Sequence, residues 1–223
     1  MLKYVLFDLD GTVSDTSEGI LNGYMYAWPK IGLPLPADKN DLRAIIGPPL
    51  PQSLMAHYGV SEEVAMEGLR QYRVYYGPIG TKECIPYPGI PELLRELRAA
   101  GLCVMTATSK AEPFTRAALE HLGLRDAFDF LGCADMENIR REKEDVIAYI
   151  KAHFPDMNGE NTIMVGDRVY DVIGAHLNDL PVIHCTYGFA QPGEMEGHIP
   201  EYTVHSTDEL RNLIFSLKDG AKM

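Results

Sequence analysis

The stretch VLFDLDGTVSD at 5–15 dictates most about how this chain can fold. Val5, Leu6 and Phe7 form the short apolar run expected of a buried parallel strand, which is covered on both faces. Two acids follow with one residue between them. Side chains alternate along a strand, so Asp8 and Asp10 would share a face if the strand continued. Gly11 marks where it stops, because glycine permits sharp turns that most residues resist. Asp8 therefore belongs at a strand end, with Asp10 just past it where the backbone bends away. Carboxylates held this close repel, and one of them should bind its proton more tightly unless a cation intervenes.

After Asp15 the periodicity changes. Ile20, Leu21, Tyr24, Ala27, Trp28 and Ile31 recur at spacings of three and four, the mark of an amphipathic helix, and Pro29 should end or kink it. Asp38 or Asn40 can cap a short helix carrying Leu42, Ile45 and Ile46. Gly47-Pro48-Pro49 is a rigid turn, and Pro51 suits the first turn of the helix after it. Ser61 can cap another, with Ala65, Leu69, Tyr72 and Tyr76 on one stripe. No convincing strand lies between Asp15 and about Cys84. Beyond that point, strands expected over 102–107, 128–131, 162–165, 182–184 and 202–204 alternate with helices over 88–100, 112–122, 141–154 and 208–217, and one holding Val172 to Leu177. Such alternation implies a parallel sheet with helices on both faces. The fold class is α/β: a Rossmann-like parallel sheet core from residues 1–14 and 84–223, with an α-helical unit inserted over 15–83. The tail 218–223 is expected to fray.

Composition excludes some functions. A net charge of −12 argues against nucleic acid as the main partner, since phosphate backbones are bound through clusters of Lys and Arg. No apolar run is long enough to span a membrane, and the N-terminus leads into a strand without a signal-peptide pattern. The cysteines, Cys84, Cys103, Cys133 and Cys185, show no CxxC spacing and read as reduced thiols, so a cytoplasmic location is expected.

In open parallel sheets, ligands bind beyond the carboxyl ends of the strands. Every polar group picked out here falls there: Asp8 and Asp10 after the first strand, Thr108 and Ser109 after the second, Asp167 and Asp171 after the fourth. In order and spacing, DLDGTVSD at 8–15, ATSK at 107–110, Lys143 and GDRVYD at 166–171 resemble the four motifs of the haloacid dehalogenase-like phosphohydrolases. The insert resembles the small helical cap domain of the phosphoglycolate phosphatase and β-phosphoglucomutase branch. Within that branch, IGPPL at 46–50 and YPGIPELL at 87–94 most resemble 5'-nucleotidase-like phosphatases.

The resemblance implies a phosphatase working through an aspartyl-phosphate, which splits one hard displacement into two easier steps. Asp8 would be the nucleophile. Asp10 would protonate the leaving oxygen and then take a proton from the hydrolytic water. Thr108 and the Ser109 N–H would hold phosphoryl oxygens, and Lys143 would offset negative charge. Mg²⁺ would be held by Asp8, the backbone carbonyl of Asp10, and Asp167, with Asp171 either a further ligand or a support behind them. Four aspartates against one lysine leave a charge of −3, which a phosphate dianion would deepen to −5, so a divalent cation is required. Glu144 stands where relatives often have proline after the lysine, and Arg141 is the alternative site cation. Lys110 reads either as a phosphate contact or as a solvated residue ahead of a helix. Arg43, near the Gly47 turn, is the cap residue expected to touch substrate, since its planar fork suits phosphate or carboxylate. Tyr72, Tyr75 and Tyr76 read as cap packing, and His57, His121 and His176 show no ligand spacing. The expected partner is a small phosphorylated metabolite, a nucleoside monophosphate ahead of phosphoglycolate or a sugar phosphate; no nucleic acid polymer or membrane is expected. A phosphomutase fits IGPPLPQSL poorly, Asp10 counts against dehalogenase chemistry, and retention of all four acids counts against a non-catalytic regulatory protein.

Overall fold

The computed structural model of the chain describes residues 1–220 except Asn138. Its centre is a six-stranded sheet formed by β1 (Tyr4–Phe7), β4 (Cys103–Ala111), β5 (Phe130–Ala134), β6 (Thr162–Gly166), β7 (Val182–Cys185) and β8 (Tyr202–Val204). All neighbours are parallel, in the order β5-β4-β1-β6-β7-β8. β1 lies in the middle, and its four residues are fully buried on both faces. Val5 and Phe7 pack with Leu93, Leu94 and Leu97 of α4 (Ile90–Ala99), Leu119 of α5 (Glu112–His121) and Ile214 of α8 (Thr207–Lys218). Tyr4 and Leu6 point the other way, onto Val146, Ile147 and Ile150 of α6 (Lys143–His153) and Val172 and Ala175 of α7 (Val169–His176). The alternation of one strand thus seeds both cores.

The segment behind β1 folds as α1 (Ser17–Ala27), α2 (Leu50–Tyr58) and α3 (Glu62–Tyr76), with short 3₁₀ turns between α1 and α2. Asp38 accepts from the Asn40 N–H and Ser61 from the Val64 N–H, as their capping chemistry requires. Pro29 sits in the 3₁₀ turn that follows α1. Ile20, Tyr24, Trp28, Leu54, Leu69 and Tyr76 close a third hydrophobic cluster, which Phe189 joins from the sheet side.

One element was not expected, and several boundaries move. The chain leaves and re-enters the sheet region through a two-stranded antiparallel ribbon, β2 (Ser14–Asp15) on β3 (Ile85–Pro86). Two-residue strands have no periodicity to read, and their pairing spans the whole insert. β4 runs on to Ala111 rather than ending near Ala107: Thr108 and Ala111 still pair with β5, across a register shift that takes in Ser109 and Lys110. Finally, α6 begins at Lys143 itself, not at Arg141. Of the tail expected to fray, α8 includes Lys218, and 221–223 lie outside the described residues.

Candidate active site

Because β1 and β6 are adjacent and in register, the residues that follow them emerge side by side, Asp8 after Phe7 and Asp167 after Gly166. The Asp8 N–H continues the ladder to the Val165 carbonyl at 2.9 Å. Asp171 comes from the first turn of α7. One carboxylate oxygen from each of Asp8, Asp167 and Asp171 lies within 4.8 Å of the others, and all three residues are buried. Asp167 accepts from the Thr12 hydroxyl at 2.9 Å and the Phe189 N–H at 2.7 Å. Gly11 is what lets the turn pass so close: at φ +86° it lies where side chains are strained, and a Cβ there would fall 2.1 Å from Asp167 Oδ2. Asp171 is differently employed. Its Oδ2 accepts from the N–H groups of Asp167 (3.0 Å) and Arg168 (2.9 Å), pinning the loop to the helix start, and its Oδ1 lies 2.7 Å from Lys143 Nζ.

By alternation, Asp8 shares the face of Leu6, the face covered by α6, and the first residue of α6 is Lys143. Its Nζ donates to the Ala107 carbonyl at 2.8 Å and ion-pairs with Asp8 Oδ1 at 3.0 Å, with the side chain only 3% exposed. Burial opposes its charge, but Asp171 and Asp8 outweigh it, so the ammonium pKa rises. The structure brings Lys143 to the acids and leaves Arg141 paired with Glu142 at 3.0 Å.

One lysine does not neutralise this cluster. Burial raises the pKa of Asp8, Lys143 pulls it down, and Asp171 pushes it up again, with a net rise. Burial lifts Asp167 well above the ordinary carboxylate range, and the charges of Asp171 and Asp8 add to it. Asp8 Oδ2 has no hydrogen bond among the described residues, whereas Oδ1 holds the Leu9 N–H at 2.7 Å. Nor does the Asp10 carbonyl accept one there, since the turn's N–H groups from Thr12 to Ser14 converge on Leu9 O. Crowded, buried, oxygen-only donors with spare lone pairs fit a hard divalent cation.

The Asp10 side chain stands apart from that cluster. It ion-pairs with Lys110 and accepts from the Thr16 hydroxyl at 2.7 Å. Lys110 is therefore not solvated: its side chain lies between Asp10 and the Tyr76 hydroxyl, which is 2.6 Å from its Nζ. Sequence reasoning left this residue open because both partners lie far away in the chain. Asp10, Ser109 and Lys110 floor a cavity of about 110 Å³ beneath the helical insert, walled by Tyr24, Tyr72, Tyr76 and Phe114 and by the Gly47-Pro48-Pro49 turn. Thr108 is buried beside it, its hydroxyl accepting from the Lys110 N–H at 3.2 Å. Arg43 lies outside the cavity lining: it donates to Ser17 at 3.2 Å and stacks on Phe189. Tyr75 also points elsewhere, to Glu83, while Tyr72 and Tyr76 stack at 4.9 Å.

A family model for haloacid dehalogenase-like hydrolases matches residues 5–185. The chain belongs to that family. A 5'-nucleotidase from Pseudomonas aeruginosa is 34% identical over 220 residues, covering 96% of this chain and 97% of that protein. The tyrosine-protein kinase PtkA of Mycobacterium tuberculosis is 35% identical over 215 residues, covering 95% of this chain and 72% of that one. Among solved structures, a predicted phosphatase from Clostridium acetobutylicum superposes with a TM-score of 0.92 at 38% identity, covering 97% and 99% of the two chains. The matched stretch contains all the acids and cations just described.

Proposed function

We propose that this hydrolase is a Mg²⁺-dependent phosphatase that passes the phosphoryl group of a nucleoside monophosphate to Asp8 and then to water. The observation that carries the choice of substrate is the cavity: among charged residues that include Arg73 and Arg141, it presents Tyr24, Tyr72, Tyr76 and Phe114, aromatic side chains that suit the flat face of a nucleobase. Phosphoglycolate is smaller and carries a second anion, yet two cations at the cavity already pair with acids, Lys110 with Asp10 and Arg141 with Glu142. The relative named 5'-nucleotidase supports the same reading. The four free cysteines support a reducing cytoplasm.

Asp8 supplies the attacking oxygen, Oδ2, while Lys143 and the Leu9 N–H hold Oδ1. Asp10, at the cavity floor, gives a proton to the departing ribose oxygen and then takes one from the hydrolytic water. Thr108 and the Ser109 N–H hold phosphoryl oxygens. Asp8, Asp167 and the Asp10 carbonyl would hold Mg²⁺, whose charge, when bound, offsets the anions of site and substrate. Asp171 acts as the support behind them: its Oδ2 holds the N–H groups of Asp167 and Arg168, and its Oδ1 pairs with Lys143. The helical insert serves as a cap whose walls select the leaving group, and the ribbon of β2 and β3 is its attachment. Comparing kcat/KM for nucleoside monophosphates, phosphoglycolate and sugar phosphates with Mg²⁺ present tests this. Nucleotides should lead by at least about tenfold, and a preference for phosphoglycolate would sink the assignment.

A further inference from the structure

Asp10 is gripped at one oxygen. Its Oδ1 takes both the Nζ of Lys110 and the Thr16 hydroxyl, while Oδ2 has no hydrogen bond among the described residues. Lys110 is itself held: its side chain is 5% exposed, and its other partner is the hydroxyl of Tyr76, the last residue of α3. An ammonium only donates, so the Tyr76 oxygen is the acceptor. Tyr72 stacks on the Tyr76 ring and Phe114 meets it edge-on with centroids 5.7 Å apart, which fixes the hydroxyl in place. A residue of the helical insert is thereby joined, through one lysine, to an acid of the β1 turn.

We propose that Lys110 and Tyr76 are positioning residues that hold Asp10 for hydrolysis of the phosphoenzyme, an inference that rests on the roles of Asp8 and Asp10 proposed above. In that half-reaction the water oxygen bonds to phosphorus. The bond from phosphorus to Asp8 breaks, its electron pair returns to the Asp8 carboxylate, and the water proton passes to Asp10. The acceptor is Oδ2, because two donors already occupy Oδ1 and set the rotation of the carboxylate. Tyr76 anchors the lysine, so the seating of α3 against the core and the aim of the base are one event.

p-Nitrophenyl phosphate isolates this half-reaction, since its leaving group departs without help from an acid. Tyr76→Phe keeps the ring stack and removes only the acceptor. In Mg²⁺, samples of this variant acid-quenched in the steady state should carry more aspartyl-phosphate than the native enzyme, and if hydrolysis slows about a hundredfold, a roughly tenfold gain in phosphoenzyme should accompany a kcat lowered about tenfold. Lys110→Met should do at least as much, and the double variant should match Lys110→Met, because Tyr76 acts through the lysine. A fall in kcat without accumulated phosphoenzyme would overturn the inference, as would a change in KM alone or single effects that simply add. Asp8→Asn and Asp10→Asn separate the two levels. If Asp8→Asn still forms phosphoenzyme, or Asp10→Asn fails to slow its hydrolysis, the proposed mechanism itself is wrong. If Asp10→Asn accumulates phosphoenzyme and Tyr76→Phe does not, only the clasp is refuted.

Discussion

Lys143 is one ammonium among three buried carboxylates, and it pairs with two of them, Asp8 and Asp171. Lys143→Met should lower the unfolding free energy of the metal-free protein by about 3–5 kcal/mol, the usual result of breaking a buried ion pair. Saturating Mg²⁺ should recover part of that loss by restoring positive charge; urea titrations with and without the ion measure both. The raised pKa values of Asp8 and Asp167 carry a sign. Between the ordinary carboxylate value and their own raised values, the folded protein binds more protons than the unfolded chain. Their contribution to metal-free stability therefore falls as pH rises through that window. A cation displaces those same protons, so the rise in Tm caused by Mg²⁺ should be larger at about pH 8 than at about pH 5.5. A Mg²⁺ shift that shrank with rising pH would contradict the metal assignment. The acids were legible in the sequence because each sits a fixed step beyond an apolar run. The cations were not fully legible: Arg141 and Lys143 are near neighbours in the chain, and only the start of α6 decides between them. Lys110 was less legible still, since its burial depends on Asp10 and Tyr76, the one on the first strand's turn and the other on the insert.

Elements place these groups more sharply than their lengths suggest. The β1 turn works because Gly11 can approach Asp167, so Gly11→Ala should both destabilise the fold, by about 2–3 kcal/mol, and abolish Mg²⁺-dependent activity. Gly101 is the control: it too has positive φ, at +83°, but a Cβ there meets nothing within 4 Å. Gly101→Ala should show the strain without the loss of activity. Equal activity losses in the two variants would mean that backbone strain, not the approach to Asp167, decides the outcome. At this scale the strands and helices were readable from period and caps. Ser61 and Asp38 cap where their side chains predicted, and β1 is the buried strand its three apolar residues required. The extension of β4 through polar Thr108, Ser109 and Lys110 was not readable, because the β5 backbone, rather than apolar side chains, keeps it in the sheet. The β2–β3 ribbon escaped for the same reason.

Over the whole molecule, a parallel sheet gathers acids from two adjacent strand ends, and the helical insert covers the cavity beside Asp10. The acids are thus written in short, local motifs, and the cavity proposed for the leaving group is assembled from residues between Asp10 and Arg141 whose meeting no local pattern announces. That division explains why Asp8, Asp167 and Lys143 could be named from sequence while Arg43, chosen for its side-chain chemistry, sits outside the cavity. The covalent role of Asp8 is the claim on which the rest depends, and borohydride mapping tests it most directly. Borohydride reduces an aspartyl-phosphate to homoserine, so native enzyme trapped during turnover with Mg²⁺ should yield a peptide carrying homoserine at position 8 and nowhere else. The Asp8→Asn variant should yield none and should have lost turnover while keeping its fold. Homoserine at another aspartate, or its absence from enzyme quenched in mid-turnover, would contradict the mechanism.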